Sequence, residues 1–207
     1  MKIPVKAFSR NGLKAASSLP KEGVNIVEGD VFSFENVAKA IQGCESVIIC
    51  TGPTDRWDPL SPFKTDFQGN ENIVAAAKQF GVKKIVLVSS IGADDPLFPL
   101  NLFGLVLIMK KFGELAVQRS GIDYTIIRPG GLTDTERDGP RMVVAGAPDT
   151  FGLPPRKSPG SISRSKVAEA CVAALVEPES SRKILEIITE KGSINKSWKD
   201  IFADIEV

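Results

Sequence analysis

The amino-acid sequence predicts an α/β fold, an open and doubly wound sheet of parallel strands with helices on both faces. Three observations predict it. Strand-length apolar runs alternate with stretches of helical periodicity, several of those runs are apolar at every position, and the runs end in polar or glycine-rich turns. At 207 residues the chain is expected to form one domain, 1–207.

Strands are predicted at 5–9, 24–28, 46–51, 84–89, 124–128 and 184–189. Val47-Ile48-Ile49-Cys50 and Ile85-Val86-Leu87-Val88 show no polar alternation, as strands covered on both faces require. Helices are predicted at 12–19, 34–41, 67–80, 102–119 and 163–176. In the third, Ile73, Val74, Ala77 and Phe80 form one stripe, and Gly81 supplies a left-handed stop. The segment 97–109 is too apolar for an ordinary exposed loop, so it either packs deep or lines a pocket or partner surface. From 130 to 159 the chain reads as a long irregular loop with a short strand at 142–144, of the length typical of lids and insertions. A helix over 195–207, with Trp198, Ile201 and Phe202 at helical spacing, closes the chain.

The composition, 43% hydrophobic and 25% charged, is that of a globular protein, and a net charge of +1 gives nucleic-acid binding no electrostatic footing. No apolar run reaches membrane-spanning length. The absence of histidine removes Ser-His-Asp triads, Cys-His dyads and His-containing zinc sites. Acid–base work falls to Asp, Glu, Lys, Cys or the single tyrosine, Tyr124. Cys44, Cys50 and Cys171 lack metal spacing and suit buried thiols in a reducing compartment. The N-terminus reads as the entry to a strand, so any targeting segment is expected to have been removed or not included.

In doubly wound sheets ligands sit beyond the carboxyl ends of the strands. Those ends are Ser9-Arg10-Asn11, Gly29-Asp30-Val31, Thr51-Gly52-Pro53, Ser89-Ser90-Ile91-Gly92 and Arg128-Pro129-Gly130-Gly131. One such end is ordinary turn chemistry, whereas five in succession point to a ligand crevice.

Four segments then carry a resemblance: Glu28-Gly29-Asp30-Val31; Lys84 to Gly92; Gly121 to Leu132; and Gly160-Ser161-Ile162-Ser163-Arg164 leading into Val167-Ala168-Glu169. In this order they resemble atypical members of the short-chain dehydrogenase/reductase superfamily, of the NAD(P)-binding, NmrA-like type. They are similar to plant and cyanobacterial proteins related to the reductase-like stromal subunit of the chloroplast import translocon. The resemblance implies a Rossmann-like sheet, NADP as cofactor, and the plastid stroma, with the cytoplasm as alternative. It places Arg10 on the adenosine 2′-phosphate, a role its planar fork suits, the alternative being a surface arginine at a strand end. It places Asp30 and Val31 beside the adenine, Thr51 and Gly52 beside ribose, and Lys110 on the nicotinamide ribose. Pro129, Gly130 and Gly131 correspond to the loop near the nicotinamide. Arg128 is either a structural ion-pair member or a ligand contact. Lys110 and Ser90, with Ser89 beside it, are the catalytic candidates.

Two departures qualify what the resemblance implies. Oxidoreductases of the superfamily place a proton-donating tyrosine four residues before that lysine, where this chain has Val106. Tyr124 lies at the start of a buried strand and does not replace it. The fold's opening strand, glycine-rich turn and first helix, which grip the pyrophosphate, also have no counterpart, because 1–10 corresponds to the second strand. The expected sheet therefore lacks its first strand and first helix, and strands two and four either close the gap or leave their edges unpaired. An incomplete gene model is the expected explanation, and weak or lost NADP binding the expected result. The functional expectation is an NADP-linked redox-sensing or scaffold module without Tyr/Lys catalysis. The alternatives are an NADPH-dependent reductase or isomerase with a non-standard proton donor, and a non-enzymatic protein that binds a protein partner through 97–109.

Overall fold

The computed structural model describes residues 3–53, 58–135, 141–192 and 196–206. The chain begins with β1 (Val5–Ser9), α1 (Gly12–Ser18), β2 (Val24–Glu28), α2 (Phe34–Ile41) and β3 (Ser46–Ile49). A π-helical turn, Phe63–Gly69, runs into α3 (Asn70–Gln79), followed by β4 (Lys84–Val88) and α4 (Val106–Gln118). Then come β5 (Asp123–Pro129), β6 (Gly131–Thr133), β7 (Arg141–Gly146), β8 (Ser161–Ser163), α5 (Arg164–Val176), β9 (Lys183–Lys191) and α6 (Trp198–Asp204).

Strand pairing divides these elements into three sheets. β3, β4, β5 and β9 run parallel, in that order, and β7 closes the far edge antiparallel to β9. β1 and β2 form a separate parallel pair, from Val5↔Val24 to Ser9↔Glu28, and β6 and β8 a third. Among the described residues β1 pairs with β2 alone and β3 with β4 alone, so β1–β2 stands apart from the five-stranded sheet. Side chains at this parting show it: Val5 is 48% and Ile48 39% exposed, although both belong to apolar strands.

The all-apolar strands feed two cores, as their pattern predicts. Ile49, Ile85, Leu87 and Ile126 pack with Val37, Ile41, Ile73, Ala77 and Val117 of the helices on one face. Val86, Ile127, Leu185 and Ile187 pack with Val167, Ala170, Cys171, Ile201 and Phe202 on the other. Successive residues thus point to opposite faces, each buried by a helix layer. β1 and β2 join the first core through Phe8 and the chain from Val31 to Ile41, whereas α1 has no buried residue.

Four predicted segments differ in detail. The helix expected at 102–119 starts at Val106, because Leu105 takes a left-handed φ of 55° and Pro99–Leu102 forms a 3-10 turn. Of the segment 97–109, Phe98 and Leu107 are buried, but Leu97, Leu102 and Phe103 lie on the surface. The stretch 130–159, read as an irregular loop with a short strand at 142–144, holds that strand as β7 and adds β6, and Phe151 anchors it in a small core with Ile91 and Ile188. Residues 136–140 lie outside the described residues. The closing helix is Trp198–Asp204, and positions 195 and 207 of its predicted span likewise lie outside them.

Candidate cofactor pocket

The carboxyl ends of β3, β4 and β5 converge on a cavity of about 390 Å³. Cys50, Thr51, Gly52 and Pro53 line it after β3, Val88, Ser89 and Ser90 at the end of β4, and Pro129, Gly130 and Leu132 around the β5–β6 turn. Lys110 of α4 and Arg164 of α5 complete the wall. Of the predicted residues, Thr51, Gly52, Ser90, Lys110, Pro129 and Gly130 thus come together.

Gly130 is required by its own turn, since a Cβ there would stand 2.1 Å from the Pro159 carbonyl oxygen. Gly52 has open space around it, so its backbone is approachable. Gly131 is exposed beside the cavity, donating its N–H to Gly160 at 3.1 Å. Arg10, Asp30 and Val31 are not among the cavity's lining and lie at the ends of β1 and β2. Arg10 is exposed. The Asp30 carboxylate accepts from the N–H of Phe32 at 3.1 Å, and Val31 is buried in the core.

Lys110 is tied down from behind. Its ammonium lies 2.9 Å from Asp66 Oδ1, and the Asp66 side chain, on the π-helical turn, is 2% exposed. Asn70 donates to the Asp66 carbonyl at 2.7 Å and accepts from the Thr51 hydroxyl at 3.1 Å, which links the wall at β3 to the wall at α4. Asp66 Oδ2 is buried and has no hydrogen-bond partner among the described residues. Asp66 was not singled out in the sequence, but a signal was there. It shares a helical stripe with the buried residues Asn70, Ile73 and Ala77, an unusual place for a charge.

Burial pushes the Asp66 carboxyl above its ordinary value, against the pull of the Lys110 charge and hydrogen bond. A raised native pKa means the folded chain takes up this proton more readily than the unfolded chain. The group's stabilisation is full below the ordinary carboxylate pKa and is lost as pH rises through the raised one. Asp66→Asn abolishes that titration. The stability difference between wild type and D66N is therefore expected to shift in favour of wild type between about pH 7 and about pH 4, read from urea melts. A difference independent of pH would rule the shift out.

The serines divide. Ser90 donates its hydroxyl to the Ile91 carbonyl at 3.1 Å, whereas the buried Ser89 hydroxyl has no partner among the described residues. The cysteines depart from the expectation of buried thiols: Cys171 is buried, Cys44 half-buried and Cys50 exposed. Although the Cys50 residue is exposed, its thiol is enclosed: a hydrogen bond with Cys171 holds it below its ordinary value, opposed by desolvation and assisted by the Lys110 charge. The same bond, with burial, pushes the Cys171 thiol up.

Val106 stands one turn before Lys110 on α4, so no hydroxyl occupies the position of a tyrosine proton donor. Tyr124 is buried in the first core. Arg128 proves structural. Its Nε and Nη2 donate to the two oxygens of Glu114 at 2.8 and 2.6 Å, and Nη1 donates to Asp94, leaving no exposed face for a ligand. Among the described residues no His/Cys/Asp/Glu cluster could hold a metal, and no helix is long and apolar enough to cross a membrane.

Residues 1–178 match the protein family described as NAD(P)H-binding. An uncharacterized chloroplastic protein of Arabidopsis thaliana is 39% identical over 214 residues, covering 98% of this chain and 74% of that protein. The chloroplastic protein TIC 62 of Pisum sativum is 33% identical over 178 residues, covering 82% of this chain but 32% of the longer relative. Among solved structures, a putative NAD-dependent epimerase/dehydratase from Bacillus halodurans superposes with a TM-score of 0.78 at 22% identity, covering 96% of this chain and 86% of that one.

Proposed function

Because the chain belongs to the NAD(P)H-binding family, we propose that it is an NADP-linked redox-sensing or scaffold module that works without a tyrosine proton donor. The observation that carries this reading is the pocket itself, where Lys110 is present and Val106 stands one turn before it. The cavity suits the nicotinamide–ribose half of the cofactor. Lys110 and the Thr51 hydroxyl are at hand for ribose oxygens, the open space at Gly52 admits a close approach, and Pro129 and Gly130 form a wall for a flat ring. Arg10 and Asp30, at the ends of β1 and β2, would take the 2′-phosphate and the adenine. When bound, the cofactor supplies a hydride; the chain's own groups bind and orient. The chloroplastic relatives support a plastid location, within which the stroma is the compartment the resemblance implies.

Calorimetric titration of the full chain with NADP⁺, NADPH and NAD⁺ tests this reading. Binding in the micromolar range or weaker is expected, with a preference for NADP⁺ over NAD⁺ that Arg10→Ala removes. Failure of every nucleotide to bind would overturn the reading. Sustained NADPH consumption with a carbonyl compound would replace it by a reductase with a non-standard proton donor, Lys110 or Ser90. A second reading, docking of a protein partner on 97–109, is favoured by the exposure of Leu97 (87%), Leu102 (85%) and Phe103 (69%). Leu102→Asp should then abolish partner binding while leaving the fold intact.

A further inference from the structure

Among the described residues, those that line the cavity include two cations, Lys110 and Arg164, and no carboxylate. Their charges are differently placed. Lys110 is matched by Asp66, buried behind the wall at 2.9 Å. Arg164 pairs with Asp134 at 2.6 Å, but the Asp134 side chain is 88% exposed. An ion pair so immersed in water contributes about 0–1 kcal/mol, and a ligand anion can exchange for it at little cost.

Backbone pairing fixes Arg164 on the wall. The β6–β8 ladder, Gly131↔Ser161 to Thr133↔Ser163, brings the start of α5 beside Leu132, and Arg164 is the first residue of that helix. The thirteen-residue helix adds the positive end of its dipole at the same place. At the end of β4 on the same cavity, Ser89 is 5% exposed and its hydroxyl has no partner among the described residues. One exchangeable guanidinium and one unspent hydroxyl therefore serve a single cavity.

We propose that Arg164 makes this cavity an anion subsite that takes the carboxylate of a small organic acid, with Ser89 as a second hydrogen-bonding group. The planar guanidinium matches a carboxylate in bidentate fashion. Resting on the reading of the cavity as the nicotinamide end, the subsite makes small carboxylic acids the class of ligand the pocket takes beside the cofactor. A cofactor phosphate offers the same anionic chemistry, and the test separates the two.

Benzoate is the probe and benzamide its uncharged counterpart, titrated calorimetrically into the full chain with and without NADP⁺. Wild type is expected to bind benzoate and not benzamide. Arg164→Met should weaken benzoate at least about tenfold, Arg164→Lys less, and Asp134→Asn should tighten it, while NADP⁺ affinity changes by a clearly smaller factor than benzoate affinity in each. Melting temperatures confirm the fold of each variant. The proposal is overturned if benzoate fails to bind wild type at about 10 mM, or binds R164M as well as wild type. It is equally overturned if R164M weakens NADP⁺ as much as it weakens benzoate, which assigns Arg164 to a cofactor phosphate. Arg164-dependent benzoate binding in a chain that binds no nucleotide would uphold the anion subsite and sink the nicotinamide reading instead.

Discussion

Arg128→Leu is expected to remove about 3–5 kcal/mol of folding stability, because it breaks a buried ion pair from one side only. The Arg128 side chain is 1% and that of Glu114 0% exposed, and their two-pronged contact is 2.8 and 2.6 Å long. The guanidinium also bonds Asp94 and lies 3.7 Å from Glu186, another buried carboxylate. Leucine would leave Glu114 and Glu186 without their principal counter-charge. Lys111, 3.5 Å from Glu114 and partly exposed, is a poor replacement. The loss should extend beyond β5, since Glu186 also accepts from the backbone N–H of Asp149 and Phe151 at 3.1 and 2.8 Å and so holds the loop after β7. Urea unfolding measures it as a lowered midpoint at unchanged slope. A loss under about 1 kcal/mol would show that the hub tolerates the removal of its centre.

Gly113→Ala is expected to destabilise by about 1–3 kcal/mol, although alanine is the better helix former. In an exposed helix the exchange would gain about 1 kcal/mol. Here the new Cβ would stand 2.4 Å from the Asp66 carbonyl oxygen and 2.4 Å from Asn70 Nδ2. The carbonyl belongs to the backbone of the π-helical turn and cannot swing aside, so α4 must move away from it. That movement pulls on Lys110, one turn earlier on the same helix, and on its bond to Asp66. Denaturant melts of G113A test the sign, and a net stabilisation would mean that the helix and turn separate without strain.

Both residues show what sequence reasoning reaches and what it misses. The strands were legible because Ile85, Val86 and Leu87 cannot be read as anything but a segment covered on two faces. The cavity was half legible for the same reason: parallel strands bring their carboxyl ends together, so Thr51, Ser90 and Pro129 meet without further information. Asp66 and Asn70 share a helical stripe with Ile73 and Ala77, but the predicted helix opens at 67, after Asp66, and the π-helical turn that packs against α4 at Gly113 carries no period of its own. β6 and β8 were missed because three-residue strands carry no pattern, and with them went the placement of Arg164. The antiparallel docking of β7 on β9 depends on contacts between distant segments, which hydrophobic spacing does not encode.

The parting between β1 and β3 has a thermodynamic consequence. A unit held to the body by Phe8, the core residues from Val31 to Ile41 and a few hydrogen bonds, such as Lys6 to the Gln42 carbonyl and Asn72 to the Val31 carbonyl, is expected to have lower local stability than the five-stranded body. A dinucleotide reaching from Lys110 to Arg10 would have to bridge the two parts and order the less stable one. Part of its gross affinity would go into the ordering, and its arrival would be felt as a stiffening of the first thirty or so residues.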